Sequence, residues 1–264
     1  MDWHRHFGLL LTDFFTGSPF VVEIESDLSL RKQLLDIVIV RKRQGRFAER
    51  LPDGLDNLAE HNLITFKSHQ ETLDDWALKE LTGHYVNYRK QLSEADQPLL
   101  PESAFRLYAV CSRFPRNLAQ QVPWEELQPG VYECRRGSDR IRVVVARRLP
   151  QTENNASLHL FSAAMQQWNY GTQHYRPRRP ETSTLIYQLF EGYRTEGFNM
   201  SYTMEDFSKE IALAHLKDLT PEERLKDLTP EERFAGLTPD QIERALEKLK
   251  VERASTPPRK RQRK

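Results

Sequence analysis

Cysteine is scarce in this chain, and no apolar run is long enough to cross a bilayer. The 264 residues include two cysteines, Cys111 and Cys134, without the paired spacing of a zinc site. We therefore expect two core thiols in a reducing compartment. No stretch reaches the roughly 18 consecutive apolar residues of a transmembrane helix, and the short N-terminal apolar run lacks a cleavage pattern, so no signal peptide is expected. These absences indicate a cytoplasmic protein without membrane contact.

Net charge is nearly absent as well. The 39 basic and 38 acidic residues leave a formal charge of +1, so the chain as a whole has no bulk attraction for polyanions. Residues 256 to 264 are the exception, because in this segment two prolines are followed by several lysines and arginines. Such a segment is typical of a disordered tail that attracts nucleic acid. In a bacterial protein this segment would be a non-specific clamp on nucleic acid, and in a nucleated cell the same run would resemble a localisation signal.

Several familiar catalytic patterns are also missing. The sequence has no glycine-rich phosphate loop and no serine in a Gly-x-Ser-x-Gly setting, which argues against nucleotide hydrolysis and serine esterase chemistry. Its eight histidines show no HxxxH-type spacing, so no zinc site is expected. Hydrophobic residues nevertheless make up 38% of the chain, which is enough for a real core.

The periodicity of apolar residues predicts a mixed α/β (α+β) fold. Residues 3 to 17 and 72 to 92 repeat apolar side chains every three or four positions, as helices do, and the second segment opens with a capping-box-like TLDD. Short β-branched runs predict strands at residues 20 to 24, 34 to 40, 62 to 66, 105 to 111, 130 to 134 and 141 to 146. The last two flank RGSD, which favours a hairpin. Further helices are expected at residues 156 to 171, 181 to 195 and 203 to 217, and the polar residues 41 to 61 are expected to form a surface loop.

Four parts are expected along the chain. Residues 1 to 150 form the α/β core, and residues 151 to 217 form a helical part that packs on it. Residues 218 to 250 carry short helical repeats, and residues 251 to 264 form the disordered basic tail.

The repeats have a period of nine residues. LTPEER occurs at residues 219 to 224 and 228 to 233, and a degenerate copy, LTPDQI, at residues 237 to 242. Threonine is a good N-cap, proline suits the first helical position, and glutamate two residues later completes a capping box. Each unit is therefore expected to start a helical turn. We interpret the segment as a spacer or self-association arm, with a dedicated partner-binding site as the alternative.

The residues that suggest chemistry lie on adjacent predicted strands. Asp36 stands within an apolar run and Lys67 ends the next strand. A buried acid needs compensation, which a metal ion or a lysine supplies. Phosphodiester cleavage uses carboxylates to hold a hard cation such as Mg²⁺, and a lysine to orient water or stabilise phosphate charge. Glu23 and Glu25, on the preceding strand, are candidate additional ligands.

Structural alternatives stay open for each of these candidates. Asp36 could pair with a neighbouring cation, for which the sequence offers Arg31, Lys32 and Arg41. Lys67 could extend from a strand end into solvent. Glu23 and Glu25 could be solvated strand residues.

Three stretches resemble a known family. They are LRKQLLDIVIV at residues 30 to 40, the predicted helix at residues 71 to 89 with HYVNYR at its end, and the LTPEER repeats. With the helix, strand, strand, helix order, they resemble the PD-(D/E)XK nuclease superfamily, and more narrowly bacterial recombination-promoting nucleases and transposase-like proteins. The resemblance covers residues 20 to 148 and 216 to 246. It implies a restriction-endonuclease-like mixed sheet flanked by helices, an endonuclease that uses Mg²⁺ or Mn²⁺, and DNA as the substrate.

The resemblance also implies residue roles. Asp36 matches the metal-binding aspartate and Lys67 the lysine of the motif, while Gln70, Tyr85 and Tyr88 are expected to flank the site. One position departs from the pattern, because Thr65 stands where an aspartate or glutamate is expected. A neutral hydroxyl cannot replace the charge of a carboxylate. The missing acid must then come from elsewhere, and the candidates are Glu23, Glu25, Glu71, Asp74 and Asp75.

Residues 168 to 179 form a cluster of aromatic and basic side chains. Arg178 and Arg179 are candidate phosphate contacts, since arginine binds phosphate and aromatic rings stack on exposed bases. The alternative is a set of core aromatics followed by a charged loop. The leading hypothesis is thus a metal-dependent endonuclease with Asp36, Lys67 and Glu25 as catalytic residues. The alternatives are a catalytically inactive relative that binds DNA or protein, and an interaction protein that assembles through its repeats.

Overall fold

The computed structural model describes residues 2–27, 34–45, 47, 49–92, 98–179, 184–198, 205, 208–209, 212–213, 216, 219–226 and 228–255. The side chains of residues 25–27, 34–35, 249 and 251–255 also lie outside the description. The chain divides into two compact units, Met1–Phe207 and Ser208–Lys264. The first contains the sheet and the second contains the repeats.

A seven-stranded sheet forms the centre of the first unit. Its strands are β1 (Phe20–Asp27), β2 (Leu34–Arg41), β3 (His61–Lys67), β4 (Phe105–Cys111), β5 (Trp124–Gln128), β6 (Val131–Arg136) and β7 (Asp139–Val145). Their spatial order is β1-β2-β3-β4-β7-β6-β5. The β3–β4 and β4–β7 pairs are parallel and the other four are antiparallel. The predicted α/β class with a mixed sheet is confirmed, as is the β6–β7 hairpin.

Helices flank this sheet. They are α1 (Trp3–Phe14), α2 (Asp75–Gln91), α3 (Arg116–Gln121), α4 (Ala156–His159), α5 (Met165–His174) and α6 (Leu185–Thr195). Three short 3-10 turns lie at Glu102–Ala104, Ala146–Arg148 and Glu153–Asn155. Helix α2 connects the parallel strands β3 and β4. Its N-cap is Asp74, which accepts a hydrogen bond from the Ala77 amide at 2.9 Å, so the expected cap at Thr72 was wrong by two residues.

Side chains of β3 alternate between two packed layers, as the period of a strand requires. On one side Leu63 packs with Val38 and with Leu78 and Leu81 of α2. On the other side Phe66 stacks on Phe7 of α1, with ring centroids 4.4 Å apart. Asp36 lies on the same face of β2 as Val38, and Thr65 and Lys67 lie on the same face of β3 as Leu63. Their Cβ atoms therefore project to the α2 side.

The helical part that follows β7 packs on the α1 side. The ring of Phe161 lies edge-on to Phe7 and Phe66, at centroid distances of 5.1 and 5.5 Å. The Ser112 hydroxyl at the end of β4 donates to the Phe161 carbonyl at 2.6 Å. Both cysteines are buried, and burial raises the pKa of Cys111 and of Cys134 to about 12. The expectation of two core thiols is confirmed.

Three predictions of secondary structure need correction. The helix expected at residues 156 to 171 is two helices, because Ala163 has φ 50° and Ala164 is extended. Strand β5 was not expected, because its side chains are mostly exposed and two of its five residues are glutamates. Part of the expected surface loop is buried, at residues 52 to 55. The helix predicted at residues 203 to 217 lies largely outside the described residues.

The second unit contains the helices Pro221–Leu225, Pro230–Phe234 and Pro239–Ser255. In the first, Thr220 Oγ1 accepts from the Glu223 amide at 3.2 Å and Glu223 Oε2 accepts from the Thr220 amide at 2.8 Å. Thr229 with Glu232, and Thr238 with Gln241, form the same reciprocal pair. The predicted helix starts at the nine-residue repeats are confirmed. Throughout the described ranges, no helix is long and apolar enough to span a bilayer.

Candidate active site

Asp36 and Thr65 meet where β2 and β3 stop pairing. The antiparallel ladder of these strands ends at Ile37 and Ile64, so the next residues of the register, Asp36 and Thr65, face each other. Thr65 Oγ1 donates to Asp36 Oδ2 at 2.9 Å, and the Phe66 amide donates to the same oxygen at 2.9 Å. Two donors thus stabilise the carboxylate of Asp36 at the point where the pairing of these strands ends.

Lys67 and Glu71 form the second part of the cluster. Lys67 Nζ lies 3.8 Å from Glu71 Oε1. The other oxygen of Glu71 accepts from the Ser68 amide at 3.1 Å and from the Ser68 hydroxyl at 2.9 Å. The turn between β3 and α2 therefore fixes a carboxylate beside the lysine. Among the acids considered from the sequence, Glu71 is the one that this turn brings to Lys67.

His4 joins the two parts from α1. Its Nε2 atom lies 2.7 Å from the Phe66 carbonyl oxygen, 3.6 Å from Glu71 Oε1 and 3.9 Å from Asp36 Oδ2. Sequence reasoning missed this residue. A signal was present, because His4, Phe7 and Leu11 are spaced as one helix face and both Phe7 and Leu11 are buried against the sheet.

The side chains of this cluster are partly exposed. The side chains of Asp36 and Lys67 are 22% and 19% exposed, and those of His4 and Glu71 are 30% and 36% exposed. The lysine and both carboxylates are therefore accessible to solvent in part. His84 of α2 lies within electrostatic range of Asp36. Burial lowers the pKa of His84, and the charges of Asp36 and Glu80 partly oppose that shift.

The acids of β1 have different surroundings. Glu23 pairs with Lys42, whose Nζ lies 3.7 Å away. Its backbone lies opposite Val38, two positions along β2 from Asp36. Glu25 lies between residues whose partners are Ile37 and Leu35, so its backbone faces Asp36. The side chain of Glu25 lies outside the described residues. Its catalytic and metal-binding roles therefore stay predictions.

Two other candidate acids, on α2, are engaged elsewhere. Asp74 caps the helix, and Asp75 pairs with Lys79 at 2.8 Å and Arg136 at 3.2 Å. The hydrogen bond from Lys79, followed by the positive charges of Arg136 and Lys79, lowers the pKa of Asp75. Gln70 is exposed in the turn that carries Glu71.

The two tyrosines expected to flank the site are core residues of α2. The Tyr85 hydroxyl accepts from Arg89 at 3.2 Å, and the Tyr88 hydroxyl lies 3.2 Å from His61 Nδ1. Both side chains are buried between α2 and the sheet. Burial raises the pKa of Tyr88 to about 12. The structure does not bring these hydroxyls to the cluster around Asp36.

Arg178 and Arg179 lie near the C-terminal end of α1, whereas His4 is near the N-terminal end of this helix. Their backbone amides donate to the buried carboxylate of Asp13 at 2.8 and 2.6 Å. The Arg178 guanidinium contacts Glu49 and covers the rings of Phe14 and Phe47, at 5.1 and 5.4 Å from their centroids. These arginines are therefore a separate region from the Asp36 cluster.

Comparisons with protein-family models, with curated proteins and with solved structures all lack a match. The nuclease resemblance stays a prediction, and the geometry of the cluster is what can support it.

The donor set around Asp36 suits a hard divalent cation. Asp36 and Glu71 provide carboxylate oxygens, and Mg²⁺ typically takes one or two protein carboxylates together with waters and substrate phosphates. Within the described ranges, no group of three or more histidine, cysteine, aspartate or glutamate side chains has the arrangement of a metal site. A cation at this position would therefore need ligands from solvent or substrate beside the two carboxylates.

Proposed function

We propose that this chain is a metal-dependent endonuclease of the PD-(D/E)XK kind that hydrolyses phosphodiester bonds in DNA. The observation that carries the proposal is the convergence of Asp36, Lys67 and Glu71 at the end of β3, with His4 Nε2 within 4 Å of both carboxylates. Glu71 then supplies the acid that the motif lacks at Thr65. Thr65 has a positioning role, because its hydroxyl orients Asp36.

Each residue has a defined part in this proposal. Asp36 and Glu71 would hold Mg²⁺ or Mn²⁺, which supplies Lewis acidity at the scissile phosphate. Lys67 Nζ, already within reach of Glu71, would donate to a phosphate oxygen and stabilise the negative charge that develops there. Ser68 keeps Glu71 in place through its amide and hydroxyl.

DNA binding in this proposal extends beyond the cluster. The lysines and arginines of residues 256 to 264 would bind the phosphate backbone without sequence preference. A cytoplasmic location suits the two unpaired cysteines. The link to recombination or mobile elements, like self-association through the repeats, is an expectation from the sequence.

A catalytically inactive relative that binds DNA or protein is the second candidate. One observation favours it. Asp36 Oδ2 and Glu71 Oε2 each accept two hydrogen bonds from the protein. Such carboxylates are stabilised without any metal, as a structural network would be.

Nicking of a supercoiled plasmid in Mg²⁺ or Mn²⁺ separates the two candidates. Asp36→Asn, Glu71→Gln and Lys67→Ala are expected to abolish nicking, whereas two matched surface variants retain it. These controls are Asp56→Asn, which removes a charge paired with Arg142, and Lys79→Ala, which breaks an i,i+4 ion pair like that of Lys67. DNA binding by the wild type without nicking in either metal favours the inactive relative. Equal nicking by all variants removes the proposed site.

A further inference from the structure

The environment of His4 Nε2 is unusual because three oxygens surround it. These are the Phe66 carbonyl oxygen at 2.7 Å, Glu71 Oε1 at 3.6 Å and Asp36 Oδ2 at 3.9 Å. A carbonyl oxygen only accepts hydrogen bonds, so Nε2 must carry the hydrogen. A nitrogen that donates in this way has no free lone pair for a metal. In this arrangement the N–H of His4 points to the Phe66 carbonyl oxygen, and its positive end lies within 4 Å of the two carboxylate oxygens that a cation would use.

We propose that His4 is a placeholder for the divalent cation. Its N–H stabilises the oxygens of the candidate site while no metal is bound, and it gives way when the cation binds. The inference rests on the cation site of the proposed function, and it adds that a side chain of α1 lies at this site while no cation is bound.

The position of His4 allows such a movement. The side chain is 30% exposed, so its ring can rotate into solvent without opening a cavity in the core. Its contact with the Phe66 ring is an edge contact with centroids 6.0 Å apart. The start of α1 does not depend on it, because Asp2 caps the helix by accepting from the Arg5 amide at 3.0 Å.

The cost of displacing His4 has a direct consequence for affinity. If cation binding must break the bond from Nε2 to Phe66, the wild type binds more weakly than a variant without that donor. The net free energy of one hydrogen bond corresponds to about a two- to tenfold change in the dissociation constant. A metal ligand has the opposite signature, since its removal weakens binding.

Calorimetric titration of the full chain with MnCl₂ tests the inference. His4→Ala is expected to bind Mn²⁺ about two- to tenfold more tightly than the wild type. His4→Gln, which keeps an N–H donor, is expected to bind like the wild type. His6→Ala is the matched control, because His6 lies on the same helix and contacts Asp2 and Gln188 instead. Should His4→Ala fail to fold, His4→Leu preserves the contact with Phe66 and serves in its place.

Thermal unfolding adds a second readout. His4→Ala should melt below the wild type in chelator, and the difference should vanish in saturating Mn²⁺, because the cation then occupies the site in both proteins and the His4 contact no longer stabilises the wild type. Equal or weaker Mn²⁺ binding by His4→Ala, or no Mn²⁺ binding by the wild type, overturns the inference. Tighter binding by His4→Ala in a protein that never nicks DNA supports the placeholder and contradicts the proposed function. If the wild type nicks DNA and His4→Ala binds Mn²⁺ more weakly, the proposed function is supported and the placeholder role of His4 is contradicted.

Discussion

Thr65 donates its hydroxyl hydrogen to Asp36 Oδ2 over 2.9 Å, across two neighbouring antiparallel strands. The nuclease pattern has an acid at this position. Two carboxylates this close would each raise the other's pKa and disfavour ionisation without a cation. Threonine avoids that repulsion, and it leaves Glu71 of the following turn as the second acid beside the lysine.

Removing this hydroxyl should destabilise the fold. Thr65→Val keeps the β-branched shape but removes one of the two donors to Asp36 Oδ2, so we expect a loss of about 1 kcal/mol in the free energy of unfolding. Urea denaturation measures the loss. Thr195→Val is the comparison, because that exposed hydroxyl bonds the Glu191 carbonyl of its own helix. Equal losses for the two variants would show that the Thr65 bond has no special role.

Stability should fall in mild acid because of several partly buried histidines. Burial lowers the pKa of His61, His69, His84 and His159 from the ordinary value of 6.5. The unfolded chain therefore binds more protons than the folded one once the pH drops below 6.5. Above that pH the four histidines are neutral in both states and do not reduce the stability of the fold. As the pH falls toward their lowered folded-state pKa values, the free energy of unfolding decreases.

Urea denaturation between about pH 7.5 and about pH 5.5 checks this direction. His159→Gln is the informative variant, because His159 is fully buried and its Nε2 bonds the Pro150 carbonyl at 3.1 Å. A side-chain amide can keep that bond without titrating. The variant should lose less stability over this range than the wild type. A wild type that gains stability on acidification contradicts the account.

Two glycines with similar backbone conformations should tolerate alanine very differently. Gly54 and Gly17 have φ of 88° and 80°. A Cβ at Gly54 would lie 2.6 Å from a methyl of Val144, whereas at Gly17 it would meet nothing within 4 Å. We expect Gly17→Ala to cost about 1 kcal/mol from the left-handed conformation alone. Gly54→Ala should cost about 2 to 4 kcal/mol, because overpacking adds to that strain.

Urea denaturation of both variants gives the comparison. The difference between them reports the close packing of residues 52 to 55 against the sheet. Similar losses for the two variants would mean that this segment moves aside easily.

The basic tail should control the salt dependence of DNA binding. Each phosphate contact releases counterions, so the affinity falls with salt in proportion to the number of contacts. Deleting residues 256 to 264 should weaken binding at low salt and flatten the slope of log affinity on log salt concentration. Fluorescence anisotropy with a labelled duplex measures both quantities. An unchanged slope excludes the tail as a phosphate-binding segment.

The sequence predicted the sheet better than the site. The β2 run around Asp36 and the β3 run that ends at Lys67 are buried and β-branched, so their pattern identified two neighbouring strands. Strand β5 was not predicted because an exposed edge strand needs no alternation of apolar and polar residues. Ala163 broke a predicted helix through a backbone angle that its residue type does not signal.

Contacts between distant segments account for what the sequence left open at the site. Asp36 and Lys67 were identified through a motif on consecutive strands. His4 is 32 positions from Asp36 in the numbering, and it reaches the cluster only because α1 packs across the sheet through Phe7 and Phe66. Glu71 was one of five candidate acids, and only the folded turn at Ser68 distinguishes it from Asp74 and Asp75.

The most direct test of the account is a double-mutant comparison of DNA cleavage. Single-turnover nicking in Mg²⁺ is measured for the wild type, Asp36→Asn, Lys67→Ala and the double variant, with chelator as the blank. Residues that act at one centre have non-additive effects on rate. We predict that each single variant falls to the chelator blank and that the double variant is no slower. Nicking by Asp36→Asn at the wild-type rate would contradict the account.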